Sequence, residues 1–203
     1  MRPILIGITG GSGSGKTYLS NKIIGKFGGK VITIIQMDSY YKDLKNLIME
    51  EREKTNFDHP NAFDFNLLND HLDLLFKGEN VPTPLYDYKT HTRMLDIKEI
   101  NATPIIIIEG TFALYNEQLR NLMNLKVFID TPNTLRKTRR IERDKKNRAR
   151  NLDSILNQYK NTVAPMFKTY IYPMKDIADL VIYENEEKDA YINKLFKYIN
   201  SNI

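Results

Sequence analysis

Short apolar runs alternate with longer amphipathic stretches along most of the chain. Five of these runs predict buried strands, namely Pro3–Ile8, Val31–Gln36, Pro104–Glu109, Leu125–Asp130 and Leu180–Tyr183. Between them, apolar residues recur every three or four positions in segments predicted as helices, the clearest being Tyr18–Phe27, Phe65–Lys77 and Ala190–Ile199. Buried strands that alternate with helices form a parallel sheet. The pattern therefore predicts a three-layer α/β fold, with a five-stranded parallel sheet and helices on both faces.

Residues 78–103 interrupt this alternation. The segment is rich in proline, threonine and tyrosine, and it predicts a small inserted β-hairpin lobe. No internal repeat or low-complexity linker divides the chain. Its 203 residues, 41% of them hydrophobic, are therefore expected to fold as one domain with a substantial core.

Composition narrows the chemistry and the environment. The chain has no cysteine, which excludes disulfides, thiolate metal sites and cysteine nucleophiles. The longest apolar run, Ile105–Ile108, is too short to span a bilayer, and the N-terminus lacks the long apolar region of a secretory signal. We therefore expect a cytoplasmic protein without a membrane partner.

The first predicted strand runs into a segment that matches the phosphate-binding loop G-x-x-x-x-G-K-[ST], consisting of Gly10, Gly11, Ser12, Gly13, Ser14, Gly15, Lys16 and Thr17. The glycines let the backbone wrap around a phosphate and point its N–H groups inward. Lys16 can reach the β- and γ-phosphates, and the Thr17 hydroxyl can bind Mg²⁺. A strand precedes this loop and an amphipathic helix follows it, so the segment predicts a nucleotide site. A guanine-binding Asn-Lys-x-Asp motif does not occur in the sequence, which disfavours a GTPase.

Two acids follow the next strands, at the sheet edge where α/β proteins bind ligands. Asp38 can accept the proton of an attacking hydroxyl and help to hold a metal ion, or it can cap a helix. Glu109 ends a very apolar run, where a carboxylate needs either a cation or an ion pair. The residues themselves leave both pairs of interpretations open.

Residues 136–150 form a strongly basic segment, with nine Lys and Arg residues and only two acids. The net charge of the whole chain is only +5, so the positive charge is concentrated here. Residues Leu135–Lys146 predict a helix on which Arg136, Arg139, Arg140 and Arg143 recur at spacings of three or four. Such a helix suits an arginine-rich lid, about 134–151, that closes over phosphates. A solvated basic face and a nucleic-acid surface are the alternatives. The second lacks interleaved aromatics and a recognised binding motif, so we expect no specific nucleic-acid partner.

Several motifs, in order and over nearly the whole chain to about Asp179, resemble the uridine kinases (uridine–cytidine kinases). They include Asp38-Ser39-Tyr40-Tyr41-Lys42-Asp43, Asn56-Phe57-Asp58-His59-Pro60, His91-Thr92-Arg93-Met94, Glu109-Gly110, Arg139-Arg140-Ile141-Glu142-Arg143-Asp144 and Gln158-Tyr159. The resemblance implies a P-loop kinase fold and phosphoryl transfer from ATP, or alternatively GTP, with Mg²⁺, to the 5′-hydroxyl of uridine or cytidine. It also implies pyrimidine salvage, a homotetramer and feedback inhibition by CTP or UTP.

The resemblance implies roles for individual residues as well. Asp38 would be the general base, Thr17, Asp38 and Glu109 would lie near Mg²⁺, and Lys16, Arg143 and Arg148 would act on the phosphates. The nucleoside site would consist of Phe57, Asp58, Tyr86, Tyr88, His91, Arg140, Arg150 and Gln158. Within it, Asp58 would bind the ribose 2′- and 3′-hydroxyls, Phe57 and Tyr88 would flank the pyrimidine, and Tyr86 and His91 would read its 4-position edge.

Simpler explanations exist for the same residues. Asp58 can cap a turn before His-Pro, Tyr86 and Tyr88 can belong to a hairpin core, and His91 can be an ordinary surface histidine. Two departures from the family also matter. Asn147-Arg148-Ala149-Arg150 stands where the family has Glu-Arg-Gly-Arg, and Tyr183-Glu184-Asn185 replaces Pro-Arg-Gly, which leaves the choice between ATP and GTP open. A kinase like phosphoribulokinase or pantothenate kinase, with another acceptor, is the alternative enzyme.

Overall fold

The computed structural model describes residues 2–148, 150–184 and 188–201, with side chains except at 147, 148 and 188–191. The strands are β1 (Ile4–Gly10), β2 (Ile32–Gln36), β3 (Val81–Asp87), β4 (Thr92–Ile100), β5 (Ile105–Glu109), β6 (Leu125–Asp130) and β7 (Leu180–Tyr183). The helices are α1 (Lys16–Phe27), α2 (Met49–Lys54), α3 (Phe65–Phe76), α4 (Glu117–Leu122), α5 (Asn133–Arg148), α6 (Leu152–Gln158), α7 (Ala164–Met166) and α8 (Lys188–Asn200). The short turns Met37–Tyr40, Pro60–Ala62 and Tyr172–Lys175 are 3₁₀-helical, and Tyr159–Val163 and Phe167–Ile171 are π-helical.

Five strands form one parallel sheet in the order β2-β5-β1-β6-β7. Their register aligns the carboxyl ends: Glu109 pairs with both Ile8 and Gln36, and Gly10 pairs with Ile129. The glycine-rich loop and the acids that follow β2 and β5 therefore reach the same edge of the sheet.

Alternate residues of the central strands belong to two separate hydrophobic clusters, one on each face of the sheet. Ile106 and Ile108 of β5 belong to one cluster, with side chains of α3 and α4, whereas Ile105 and Ile107 belong to the other, with side chains of α1 and α8. All four isoleucines are fully buried. Burial on both faces explains why the sequences of these strands are continuously apolar. The predicted three-layer fold is therefore confirmed.

The inserted segment is a hairpin of its own. β3 and β4 pair antiparallel in a separate two-stranded sheet, with a register shift between Pro84 and Tyr86. Proline donates no backbone hydrogen bond, and it is tolerated in a strand at an irregularity such as this one. The predicted inserted β-hairpin is therefore confirmed, and its Tyr88 hydroxyl reaches Asp38 beside the carboxyl edge of the main sheet.

Candidate active site

The loop between β1 and α1 packs against the first turns of α5. Gly13 has φ +81°, and a Cβ atom at this position would lie 2.5 Å from the Arg136 carbonyl oxygen. A Cβ atom on Gly11 would collide with the Arg136 guanidinium. Arg136 is 3% exposed, donates from Nε to Thr131 O at 2.9 Å, and covers the Phe167 ring at 3.6 Å. Glycine is therefore required at Gly13 by close backbone packing and by the backbone conformation, whereas a side chain at Gly11 would displace the Arg136 guanidinium.

Lys16 folds back over this loop. Its Nζ donates to Gly10 O at 2.9 Å and to Gly11 O at 3.0 Å. Burial lowers the pKa of Lys16 to about 8, although the charges of Glu109 and Asp38 act in the opposite direction. Such a buried ammonium group is suited to a partner with strong negative charge, as a polyphosphate would be.

Thr17 and Glu109 meet at the mouth of the loop. The Thr17 hydroxyl lies 3.1 and 3.2 Å from the two carboxylate oxygens of Glu109, which is 5% exposed. Within the described residues no ion pair forms at Glu109, so the salt bridge considered from the sequence is not found. Burial raises the pKa of this carboxyl group, whereas Lys16 and Thr17 lower it.

A hydroxyl and carboxylates are ligands that Mg²⁺ prefers, and Mg²⁺ usually takes its remaining ligands from water and phosphates. The described residues contain no cluster of three or more His, Cys, Asp or Glu side chains that could hold a metal by themselves. Thr17, Glu109 and Asp38 therefore fit an ion that arrives with a nucleotide.

Asp38 lies in the 3₁₀ turn that follows β2. The N-cap of this turn is Gln36, so Asp38 is not the helix cap considered from the sequence. The Tyr88 hydroxyl donates to Asp38 Oδ2 across the cavity at 3.4 Å. The Asp38 carboxylate consequently faces the space between the loop and the hairpin.

That space is a cavity of about 1020 Å³, bounded by the P-loop, residues 53–58, the hairpin, α5 and α6. Its lining includes all eight side chains predicted for the nucleoside site together with Ser12, Asp38 and Arg143. The cavity is thus at the upper end of the size range for small-molecule sites. Residues that lie a hundred positions apart in the sequence share one concave surface.

Asp58 is held at the centre of a polar network. Its Oδ2 accepts from the Thr162 hydroxyl at 2.9 Å and from Gln158 Nε2 at 3.5 Å, and Arg140 Nη1 lies 3.7 Å from Oδ1. The turn before His-Pro is capped by Asn56, whose side chain accepts from the Asp58 amide at 3.1 Å. The capping explanation for the Asp58 side chain therefore fails.

The aromatic residues line the opposite wall, in an arrangement that the sequence did not predict. Phe57 stacks on His91, with ring centroids 4.6 Å apart and planes 14° apart, whereas Tyr88 packs edge-on against Tyr86 at 5.6 Å. Both rings line the cavity, and their flanking of a pyrimidine stays a prediction. Burial lowers the pKa of His91, which has φ +56° at the hairpin tip.

The Tyr86 hydroxyl is the unsatisfied polar atom of this wall. It is buried, it has no hydrogen-bond partner among the described residues, and burial raises its pKa. A buried hydroxyl without a partner is costly. The position suits a ligand that supplies the missing hydrogen bond.

The basic segment turns its guanidinium groups inward. Arg140, 5% exposed, donates to Ser12 Oγ at 3.0 Å and to Gln158 Oε1 at 2.9 Å. Arg143 Nη2 lies 3.5 Å from Ser12 Oγ, and Arg150 Nη1 donates to Gln158 Oε1. The solvated alternative is wrong for Arg136 and Arg140. The Arg148 side chain lies outside the described residues.

Two residues of the site were missed in the sequence. Thr162 lies four positions after Gln158, and this helical spacing could have indicated a shared face towards Asp58. Asp144 is fully buried among Arg140, Arg143 and Arg150. The signal was an acid within a run of bases, which suggests a charge that is paired locally.

A smaller cavity of about 270 Å³ lies on the other side of the P-loop. Its lining includes Ser14, Tyr18, Arg139, Tyr183 and Glu184. Arg139 forms two hydrogen bonds with the Glu184 carboxylate, at 2.7 and 3.0 Å. The unusual Tyr183-Glu184 pair therefore forms part of a pocket next to the loop.

The fold and the loop define a P-loop kinase. The chain belongs to the phosphoribulokinase / uridine kinase family, whose model matches residues 5–190. It is 46% identical over 206 aligned residues to a uridine kinase of Clostridium novyi, covering 100% of this chain and 99% of the relative. It is 48% identical over 192 residues to a uridine kinase of Clostridium tetani, covering 95% and 92%.

Solved structures share the fold at low sequence identity. Phosphoribulokinase from Rhodobacter spheroides matches with a TM-score of 0.63 at 15% identity, over 90% of this chain and 70% of that one. D-glycerate 3-kinase from Cryptococcus neoformans matches with a TM-score of 0.61 at 16% identity, over 83% and 79%. Across the described residues, no helix is both long and apolar enough to cross a membrane.

Proposed function

We propose that this protein transfers the γ-phosphoryl group of ATP to the 5′-hydroxyl of uridine and cytidine, yielding ADP and UMP or CMP in pyrimidine salvage. The observation that supports this most is that Asp38, the P-loop residue Ser12 and the polar network of Asp58 line one cavity. The full-length similarity to uridine kinases supports the same acceptor.

The chemistry requires a base, a nucleophile and a charge-neutralising phosphate site. The 5′-hydroxyl gives its proton to the Asp38 carboxylate as its oxygen bonds to the γ-phosphorus. The bond from that phosphorus to the bridging oxygen breaks, and ADP leaves with the electron pair. Lys16 and the loop amides stabilise the charge on the phosphoryl oxygens.

A nucleotide donor and Mg²⁺ are general to this family of kinases. We assign the ion to the Thr17 hydroxyl and to the Glu109 carboxylate, with Asp38 nearby. When bound, the ion neutralises phosphate charge. The buried Glu109 carboxylate has no ion pair within the described residues, which supports this assignment.

The acceptor is selected at both ends of the nucleoside. One carboxylate can bridge two vicinal hydroxyls, so Asp58 suits the ribose. The unsatisfied Tyr86 hydroxyl and the His91 ring suit the 4-position edge of a pyrimidine, because each can donate or accept a hydrogen bond. Such groups accommodate both the oxygen of uracil and the amino group of cytosine.

We assign residues 134–151, in a single kinase domain of residues 1–203, to a lid over the phosphates, with Arg143 and Arg148 acting on the transferred group. A nucleic-acid surface is disfavoured because Arg136 and Arg140 are buried against the protein itself. The cavity next to Ser14 suits the donor base, and the replacement of Pro-Arg-Gly leaves ATP or GTP as alternatives for the donor. A homotetramer and a cytoplasmic location stay predictions from the resemblance.

The test is ADP release from ATP–Mg²⁺, measured across uridine, cytidine, deoxyuridine, adenosine, ribulose 5-phosphate and pantothenate. We expect turnover with uridine and cytidine, and Lys16→Ala should abolish it. Turnover with a sugar phosphate or pantothenate, but not with either pyrimidine nucleoside, would instead support the alternative kinase.

A further inference from the structure

Asp144 is a fully buried acid at the centre of three arginines. Arg143 contacts its Oδ1 through Nε at 2.9 Å and Nη2 at 2.8 Å. Arg140 Nε and Arg150 Nη1 lie 3.5 and 3.8 Å from its Oδ2. The Asp144 carbonyl oxygen also accepts from the Arg150 amide at 3.3 Å, so the backbone of Arg150 is held at the same point.

The same three guanidinium groups also reach both halves of the cavity. Arg140 and Arg143 approach Ser12 Oγ in the P-loop, at 3.0 and 3.5 Å. Arg140 and Arg150 donate to Gln158, whose amide lies 3.5 Å from Asp58. Asp144 therefore links the side chains at the phosphate end with those at the nucleoside end.

Asp144 itself does not line the cavity, whereas all three arginines do. Guanidinium groups repel one another, and each long side chain has many rotamers. A single buried carboxylate that contacts all three removes much of the repulsion and fixes their directions. The charged ends can then point at the two substrates without reorganising during the reaction.

We propose that Asp144 is a positioning residue that orients Arg140, Arg143 and Arg150 for phosphoryl transfer and sets the positive charge of the cavity. This inference rests on the proposed function. Removal of the Asp144 charge should have two opposed effects. The arginines lose their alignment, which slows transfer. The cavity also gains net positive charge, which favours the binding of a polyphosphate.

The test is Asp144→Asn, with Glu142→Gln as the matched control. Glu142 lies on the same helix, is exposed and loses the same charge when substituted. In Asp144→Asn we expect kcat to fall by about 100-fold, since small misplacements of catalytic groups cost this much, while the Kd for ATP–Mg²⁺ stays level or decreases. Glu142→Gln should leave both unchanged.

An unchanged kcat, or a loss of ATP affinity in proportion to kcat, overturns the proposal, because the second pattern is that of a merely structural ion pair. The wild-type rate with uridine tests the proposed function separately. The Kd for ATP–Mg²⁺ needs no acceptor, so it still tests Asp144 if uridine is not phosphorylated.

A second comparison covers the case in which Asp144→Asn does not fold. Arg143→Gln/Asp144→Asn removes one charge of each sign and is compared with Arg143→Gln alone. Because Asp144 also contacts Arg140 and Arg150, kcat should be lower in the double variant than in Arg143→Gln, while the Kd for ATP–Mg²⁺ stays level or decreases. An equal kcat in the two variants, or a loss of ATP affinity in proportion to kcat, would overturn the proposal.

Discussion

The Thr17 hydroxyl lies 3.1 and 3.2 Å from the two oxygens of Glu109, at the junction of α1 and β5. This contact joins the last residue of the glycine-rich loop to the end of the most apolar strand in the chain. It brings a hydroxyl and a buried carboxylate to the place where a nucleotide-bound cation is expected.

Glu109→Gln should therefore raise the Mg²⁺ requirement. We expect half-maximal activation at a Mg²⁺ concentration about 10-fold higher or more, since the neutral amide loses one charged ligand, equivalent to about 1.4 kcal/mol per decade. Mg²⁺ titrations at fixed ATP check this, with the exposed Glu79→Gln as control. Because burial raises the pKa of Glu109, the wild-type requirement should also increase as the pH falls into the acid range. An unchanged Mg²⁺ curve would contradict the metal assignment.

The charge of Lys16 should appear in the pH profile. Its pKa in the protein without nucleotide is about 8, so the protonated form is lost as the pH rises through that value. We expect kcat/KM for ATP to fall above about pH 8, whereas kcat should persist to higher pH because bound phosphates favour the ammonium form. Lys16→Arg stays protonated and should lack this fall, although its activity is lower. In Lys16→Ala the rate of phosphoryl transfer should fall by about 100- to 1,000-fold.

Asp38→Asn tests the general base. The amide cannot accept a proton, so kcat should fall by about 100- to 10,000-fold while nucleoside binding is retained. Steady-state kinetics with uridine, a uridine binding isotherm and a thermal melt separate the two effects. Asp70→Asn, an exposed acid on α3, serves as control. If Asp38→Asn were less stable but kept its kcat, the base assignment would be wrong.

Ribose selection should depend on Asp58. Loss of one charge-assisted hydrogen bond is worth about 1.5–3 kcal/mol, so wild-type kcat/KM should favour uridine over deoxyuridine by about 10- to 150-fold. In Asp58→Ala the ratio should approach one. Competition assays with both nucleosides measure it directly, and equal use by the wild-type protein would remove the basis for this role.

The basic helix should respond to nucleotide rather than to nucleic acid. Arg140→Ala and Arg143→Ala should each lower kcat/KM, since both side chains approach Ser12 in the P-loop. ATP–Mg²⁺ should protect this segment from trypsin. RNA and DNA should bind weakly and with a steep salt dependence. Sequence-selective binding by a protein whose arginine variants still phosphorylate uridine would contradict the lid assignment.

The sequence predicted the sheet well because its central strands are buried on both faces. Ile105–Ile108 is continuous and apolar for this reason, and the predicted strand ends differ little from those observed. β1 is an exception, since it extends to Gly10 through its pairing with β6. The strand order was not predictable from the sequence. It depends on which strands pair over long distances along the chain, and the local pattern of apolar residues carries no information on that pairing.

The residues of the cavity were predictable by type and by resemblance, but their contacts were not. Stacking of Phe57 on His91 depends on the position of the hairpin tip, which is set by packing between distant segments. The burial of Asp144 depends on how three arginine side chains pack around it, whereas the sequence indicates only an excess of positive charge.

The packing of Arg136 behind the P-loop limits how α5 can move. Its carbonyl oxygen leaves no room for a side chain at Gly13, and its buried guanidinium is held by Thr131 O and the Phe167 ring. Separation of the first turns of α5 from the loop would expose the loop and leave a guanidinium without these contacts. The first turns of α5 are therefore held against the loop, so an opening of the predicted lid has to pivot about them.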